Sequence, residues 1–217
     1  MRILALVHQP DAPPGTFADV AAASGASLVT WDVPRAGRPG GLDGFDGAIS
    51  FGGEPHPDEE ADHPWILTEL DVLRELVAAD VPTLGICLGG ELLARALGAP
   101  IGPAPEELGF VTVERTVDDD PVLGALPRRF DALQWHRYGF GLPDGAVAVA
   151  RNDAALQAFR VGRSAWGLQF HPEVDRAIVE RWALDERRPV PPGDYDAWTR
   201  LGARICRGFV EVCGMRL

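Results

Sequence analysis

At 217 residues, 46% hydrophobic and 24% charged, the chain suits one α/β domain with a sizeable core and has no polar tract that would have to stay disordered. Its formal charge of −12 argues against a general phosphate-binding surface, so nucleic acid is not expected as a partner. All 20 basic residues are Arg, which excludes a P-loop lysine, a lysine Schiff base and Ser-x-x-Lys catalysis.

In chain order, "RILALV" (2–7) reads as a buried strand that breaks at "HQPDAPPG", and a helix follows to about residue 24. "ASLVTWDV" and "FDGAISF" read as the next two strands, separated by the Gly/Pro-rich loop "PRAGRPGGLDG". Apolar residues recur at helical spacing through "PWILTELDVLRELVAA" (64–79), which leads into the strand "VPTLGI". Buried apolar strands alternating with helices imply a parallel sheet covered on both faces. After Gly98 come the shorter β-like segments "GFVTVERT", "FDALQWH", "AVAVAR", "ALQAFRV" and "AWGLQF", expected to extend the sheet with antiparallel strands. "DRAIVERWALDE" and "DYDAWTRLGARICRGFVEVCG" read as closing helices.

No apolar stretch approaches the roughly 20 residues that span a bilayer, and "MRILALVHQP" is too short and too quickly polar for a signal peptide, so a cytoplasmic protein without a membrane partner is expected. The three cysteines lack CxxC spacing and indicate neither a disulfide framework nor a zinc site. Cys206 and Cys213 lie seven apart on a helix and fit packing.

Cys87, in "LGICLGGELLARAL", sits where an apolar strand turns into a helix. Such a turn exposes a nucleophile, and the helix N-terminus beside it favours the thiolate. Gly85 and Gly89 flank it where small residues relieve crowding; a small buried residue at a strand end is the plainer alternative. A nucleophilic thiol needs an oriented base. "AWGLQFHPEV" offers His171 with Glu173 two residues on, placed to fix its tautomer, unless Pro172 and Glu173 merely start the next helix. "ISFGGEP" ends a strand in two glycines, so the N–H of Gly53, with that of Leu88, could serve as an oxyanion hole, though a plain tight turn explains the Gly pair equally well.

Taken together, "PWILTEL", "LGICLGG", "EELGF", "QWHRY" and "WGLQFHPE", in that order over roughly residues 45 to 185, resemble the class I glutamine amidotransferases, most of all the stand-alone GMP-synthase-type members. The resemblance implies that residues 1–217 form a single amidotransferase-like domain, a flavodoxin-like three-layer sandwich with a mostly parallel central sheet and added antiparallel strands. It implies amide hydrolysis through a thioester on Cys87, with His171 as acid/base, Glu173 as its orienting partner, Gly53 and Leu88 as oxyanion donors, and Gly52 and His136 at the substrate. Neither metal nor cofactor is expected. The chain leaves no room for a synthetase module, so any ammonia acceptor would sit on a separate protein.

Three positions depart from the family pattern. Glu91 stands where Gln is usual, Arg137 where Gly follows the "QWH" segment, and Glu54 where Pro follows the Gly pair. Glu91 and Arg137 are expected either to pair across the substrate site and make free glutamine a poor substrate, or both to point to solvent with no role in selectivity. The alternatives are a γ-glutamyl amide hydrolase that uses no partner and a non-catalytic binding module. The loop "HPDEEADH" reads as a flexible acidic segment rather than a metal site, and Trp182 and Trp198 as core anchors rather than a ligand platform.

Overall fold

Short apolar runs buried on both faces pack best as central parallel strands, and the strands nearest the middle of this sheet are of that kind. The computed structural model describes residues 1–215. Its elements are β1 (Arg2–Val7), α1 (Thr16–Ala23), β2 (Ser27–Asp32), α2 (Val33–Ala36), β3 (Gly47–Ser50), α3 (Trp65–Ala78), β4 (Thr83–Ile86), α4 (Leu88–Ala96), β5 (Ile101–Arg115), β6 (Arg129–Phe140), β7 (Val147–Arg151), β8 (Leu156–Val161), β9 (Ala165–Leu168), α5 (Arg176–Asp185) and α6 (Tyr195–Gly214). The strands form one sheet in the order β2-β1-β3-β4-β9-β8-β7-β5-β6. β2, β1, β3, β4 and β9 run parallel, and β8, β7, β5 and β6 continue the sheet antiparallel. Every residue of β3, β4 and β9 is buried.

The sheet divides the core in two. On one face α1, α5 and α6 bury Phe17, Val179, Trp198, Ile205 and Phe209 against Ile3, Ile49 and Trp166. On the other, α3 and α4 bury Ile66, Leu70, Leu73, Leu92 and Leu93 against Leu4, Leu6 and Phe159. The result is a flavodoxin-like sandwich, whose ligands bind outside the carboxyl ends of the parallel strands near the switch point of strand order.

Two segments differ from the sequence reading. Val33 leaves the strand and opens the short helix α2, because Pro34 supplies the fixed φ that suits a first helical turn. β5 begins at Ile101, well before "GFVTVERT", and pairs with β6 from Ile101↔Phe140 to Glu114↔Arg129. Its early half contains Pro103 and Pro105, which interrupt a ladder, and the register accordingly shifts between Pro103 and Glu107.

The first turn of α4 is pressed onto the sheet through glycines. A Cβ on Gly89 would overlap the carbonyl oxygen of Ser50 at the end of β3, and one on Gly90 would stand 2.6 Å from the Leu168 carbonyl oxygen of β9. Gly89→Ala is therefore expected to destabilise the protein by about 3 kcal/mol, at the upper end of what overpacking costs, in urea unfolding. Gly40→Ala, where nothing lies within 4 Å of the added methyl, is the matched control and should shift stability by less than about 0.5 kcal/mol.

Candidate active site

The connection from β4 to α4 is made by one residue. Cys87 has φ 50° and ψ −113°, a backbone conformation that a side chain disfavours and that turns the chain sharply between strand and helix. Its N–H donates to the Leu168 carbonyl of β9 at 2.8 Å and its carbonyl accepts from the Glu91 N–H at 2.9 Å, so the strained residue is held from both sides. The buried Sγ lies 4.0 Å from the Trp135 carbonyl oxygen.

His171 follows β9, the strand next to β4. Its backbone is fixed by Leu133 of β6, whose carbonyl accepts from its N–H at 3.0 Å, and by the Trp198 indole of α6, which donates to its carbonyl at 3.0 Å. Its imidazole hydrogen-bonds the Cys87 thiol. On the other side its Nδ1 lies 2.9 Å from Glu173 Oε1. Glu173 is buried and precedes α5, whose cap is Asp175, so it does not start that helix; its carbonyl accepts from the N–H and hydroxyl of Thr16 at 2.8 and 3.1 Å. The Trp182 ring meets His171 edge-on at 5.0 Å. Gly52 leaves room for the ring: a Cβ there would come within 2.8 Å of His171 Cε1.

Burial opposes charge on both partners. It pushes the Cys87 thiol up, while the neighbouring His171 and its hydrogen bond pull it down. For His171, burial works toward the neutral ring, yet Cys87 and Glu173 outweigh it and hold the imidazole well above its ordinary range.

These groups border a cavity of about 370 Å³, lined also by Gly53, Glu91, Trp135, His136, Tyr138 and Trp182. Gly53 contributes backbone to its wall, whereas the Gly52 carbonyl faces away, toward His8. The Leu88 side chain is buried over Gly53, with a Cβ–Cδ2 approach of 2.8 Å were Gly53 to carry a methyl. His136 Nδ1 donates to the Tyr138 carbonyl at 2.8 Å, and Nε2 lies 3.3 Å from Glu107. Glu107 also accepts from Asn152 and Gln157.

The expected Glu91–Arg137 pair does not form. Glu91 is buried and accepts from Gln169 at 2.9 Å, and burial raises its carboxyl. Arg137 reaches instead to Glu106 and Glu186, at 2.7 and 2.9 Å, on the outer rim. Alternation along β6 explains this: His136 faces inward, so the next residue faces out. Trp182 is likewise more than a core anchor, since it walls the cavity beside His171; Trp198 is buried and holds the His171 carbonyl. In the acidic loop, His56 stacks on Tyr138, Glu60 pairs with Arg95, and His63 tilts against Trp65. Cys206 and Cys213 are both buried in α6, and burial pushes the Cys206 thiol up to about 12. The sequence reading missed His8, Glu69 and Gln169, none of which lies in a short motif with the residues it touches.

Comparison with known proteins gives the family. The family model "Glutamine amidotransferase class-I" matches residues 26–178, and the chain belongs to that family. Among relatives, it is 33% identical over 177 residues to a glutamine-hydrolysing GMP synthase subunit of Sulfolobus acidocaldarius, covering 78% of this chain and 77% of that protein. It is 29% identical over 189 residues to the glutamine amidotransferase-like protein YfeJ of Salmonella typhimurium, covering 83% and 79%. The GMP synthase of Thermomicrobium roseum is 37% identical over 144 residues, 64% of this chain but only 23% of that longer protein. A glutamine amidotransferase from Thermotoga maritima superposes with a TM-score of 0.86 at 28% identity, over 100% of this chain and 97% of that one. Among the described residues no helix is long and apolar enough to cross a membrane.

The opposing pulls on Cys87 make a pH prediction. The rate of iodoacetamide alkylation at Cys87 rises as the thiol ionises, so His171→Ala, which removes the group pulling that ionisation down, should move the rise to higher pH. Mass spectrometry of the Cys87 peptide measures it, and an unmoved profile would show that His171 does not act on the thiol.

Proposed function

We propose that this chain hydrolyses the side-chain amide of glutamine, or of a related γ-glutamyl amide, through a thioester on Cys87. The observation that carries the reading is the meeting of Cys87 and His171 at the wall of one cavity, with Glu173 behind His171, on two segments that converge at the carboxyl ends of β4 and β9. The Cys87 thiolate attacks the amide carbon, and the N–H groups of Gly53 and Leu88 receive the developing oxyanion. His171 then gives its proton to the leaving nitrogen, and ammonia departs. Water, deprotonated by His171, attacks the thioester and frees the acid and the thiol. Glu173 fixes the tautomer of His171 and stabilises its charged form. Each of these steps is carried by side chains, backbone and water, and a cytoplasmic setting suits a thiol that must stay reduced.

The names of the relatives favour glutamine as the amide, and their being subunits of a GMP synthase favours delivery of the ammonia to a separate synthetase protein. One observation favours a different γ-glutamyl amide hydrolysed without a partner: the cavity wall carries the buried Glu91 carboxyl, which lacks the N–H donors of the glutamine usual there. A panel of γ-glutamyl amides, with and without a synthetase, separates these readings by which substrate gives the highest kcat/KM and whether the synthetase raises it.

Cys87→Ala is expected to abolish ammonia release while circular dichroism stays unchanged, and turnover at the wild-type rate in the folded variant would end the thioester mechanism. Glu91→Gln should raise kcat/KM for glutamine by about five- to tenfold, the worth of one added hydrogen bond. Because Arg137 does not touch Glu91, Arg137→Gly should change it less than about twofold and the two effects should multiply.

A further inference from the structure

A second buried histidine–carboxylate pair lies on the far side of the Gly52-Gly53 loop and has no part in the chemistry proposed above. His8 follows β1 and Glu69 lies on α3; their side chains are wholly buried, with His8 Nε2 2.7 Å from Glu69 Oε2. The other carboxylate oxygen accepts from the Ser50 hydroxyl at 2.6 Å, and the His8 ring stacks on Trp65 with centroids 5.1 Å apart. The remaining ring nitrogen, Nδ1, is 3.1 Å from the carbonyl oxygen of Gly52. Both ring nitrogens thus face acceptors, and only the imidazolium donates from both. Consistently, although burial favours the neutral ring, Glu69 and the carbonyls of Gly52 and Phe51 outweigh it and raise His8 above its ordinary value.

The Gly52 carbonyl belongs to the same peptide unit as the Gly53 N–H. No cis peptide occurs among the described residues, and in a planar trans peptide the two groups point in opposite directions. A carbonyl drawn toward His8 therefore turns the N–H away from it, toward the cavity that Gly53 lines. With glycine on both sides, this peptide would otherwise rotate at little cost. The following peptide is held from the same loop, where the Gln9 side chain accepts from the Glu54 N–H at 2.8 Å.

We propose that His8, charged by Glu69, is a positioning residue that locks the Gly52–Gly53 peptide with its N–H facing the reacting carbonyl. This rests on the amidase reading above. Burying an ion pair is costly and gives weak stability in return, so its use here is orientation: it fixes an oxyanion donor before substrate arrives.

The test compares two double variants, Glu69→Gln with His8→Ala and Glu69→Gln with His8→Asn. Both remove the buried charges, but the Asn amide nitrogen can occupy the place of Nδ1 and donate to Gly52. The alanine variant should lose about 10²-fold in kcat for amide hydrolysis with KM changed less than about threefold, and the asparagine variant should regain about tenfold. Alkylation of Cys87 by iodoacetamide develops no oxyanion and should stay within about twofold of wild type in both. Alkylation falling in step with kcat, or asparagine no better than alanine, would overturn the clamp in favour of a merely structural pair. If the variants do not fold, the wild-type crystal structure with Cys87 bound to a chloroketone analogue of glutamine decides: the adduct oxygen should accept from Gly53 N–H with Gly52 still on His8, and an oxygen bonded elsewhere refutes it. The orientation of the peptide in crystals of the folded variants is read without substrate. A wild-type protein inert to every γ-glutamyl amide would therefore fail the amidase reading alone, while a Gly52 carbonyl unmoved in the alanine variant would fail the clamp.

Discussion

How closely α4 can approach the sheet governs the rest of this molecule. A residue with a side chain at φ 50° and ψ −113° is strained by something on the order of 1–3 kcal/mol and persists only where its surroundings over-determine it. Here they do, because Gly85, Gly89 and Gly90 let the helix backbone sit against the ends of β3, β4 and β9 with no side chain between. The same contact sets the first turn of α4 at the strand ends, where the Gly89 N–H donates to the Phe51 carbonyl and the positive end of the helix dipole favours negative charge. A larger residue at any of the three would lift the helix, relax Cys87 and separate it from His171.

That close packing also sets the electrostatics. Two histidine–carboxylate pairs, His171 with Glu173 and His8 with Glu69, stand on opposite sides of the Gly52-Gly53 loop, both sequestered from water. Burial makes each charge expensive alone and makes each partner effective, so both histidines sit above their ordinary values despite losing hydration. The outer rim works differently. Arg137, Arg188, Glu106 and Glu186 form an exposed network around the cavity mouth, where solvent screens each pair and orientation matters more than strength.

Glu91 brings a carboxyl to the cavity one helical turn past Cys87. Its carboxyl is buried on the cavity wall beside Gln169, a residue that precedes His171 by two on the way out of β9. The pocket therefore presents an acid whose protonation responds to burial. Arg137 stands apart from this environment, its guanidinium already engaged by two carboxylates.

Local pattern was enough for every element type but α2, for the parallel character of the first half and to single out Cys87, His171 and Glu173 as candidates, because each of these is written in contiguous residues: 3.6-residue and two-residue periodicities, a glycine-flanked turn, a strand that ends in "HPE". The prolines of β5 hid its true start, since a bulge tolerates what a regular ladder does not. What sequence could not decide is everything that depends on strands distant in the chain becoming neighbours. β9 inserts beside β4 some eighty residues later and thereby brings His171 to Cys87, while β1 lies beside β3 and brings His8 to Gly52. Glu91 was one helical turn from Cys87 and Arg137 one residue from His136, yet only the packed sheet determined that the first turns in to Gln169 and the second out to Glu186. Side-chain direction follows from which face of an element is covered, and that is settled by tertiary contact rather than by spacing.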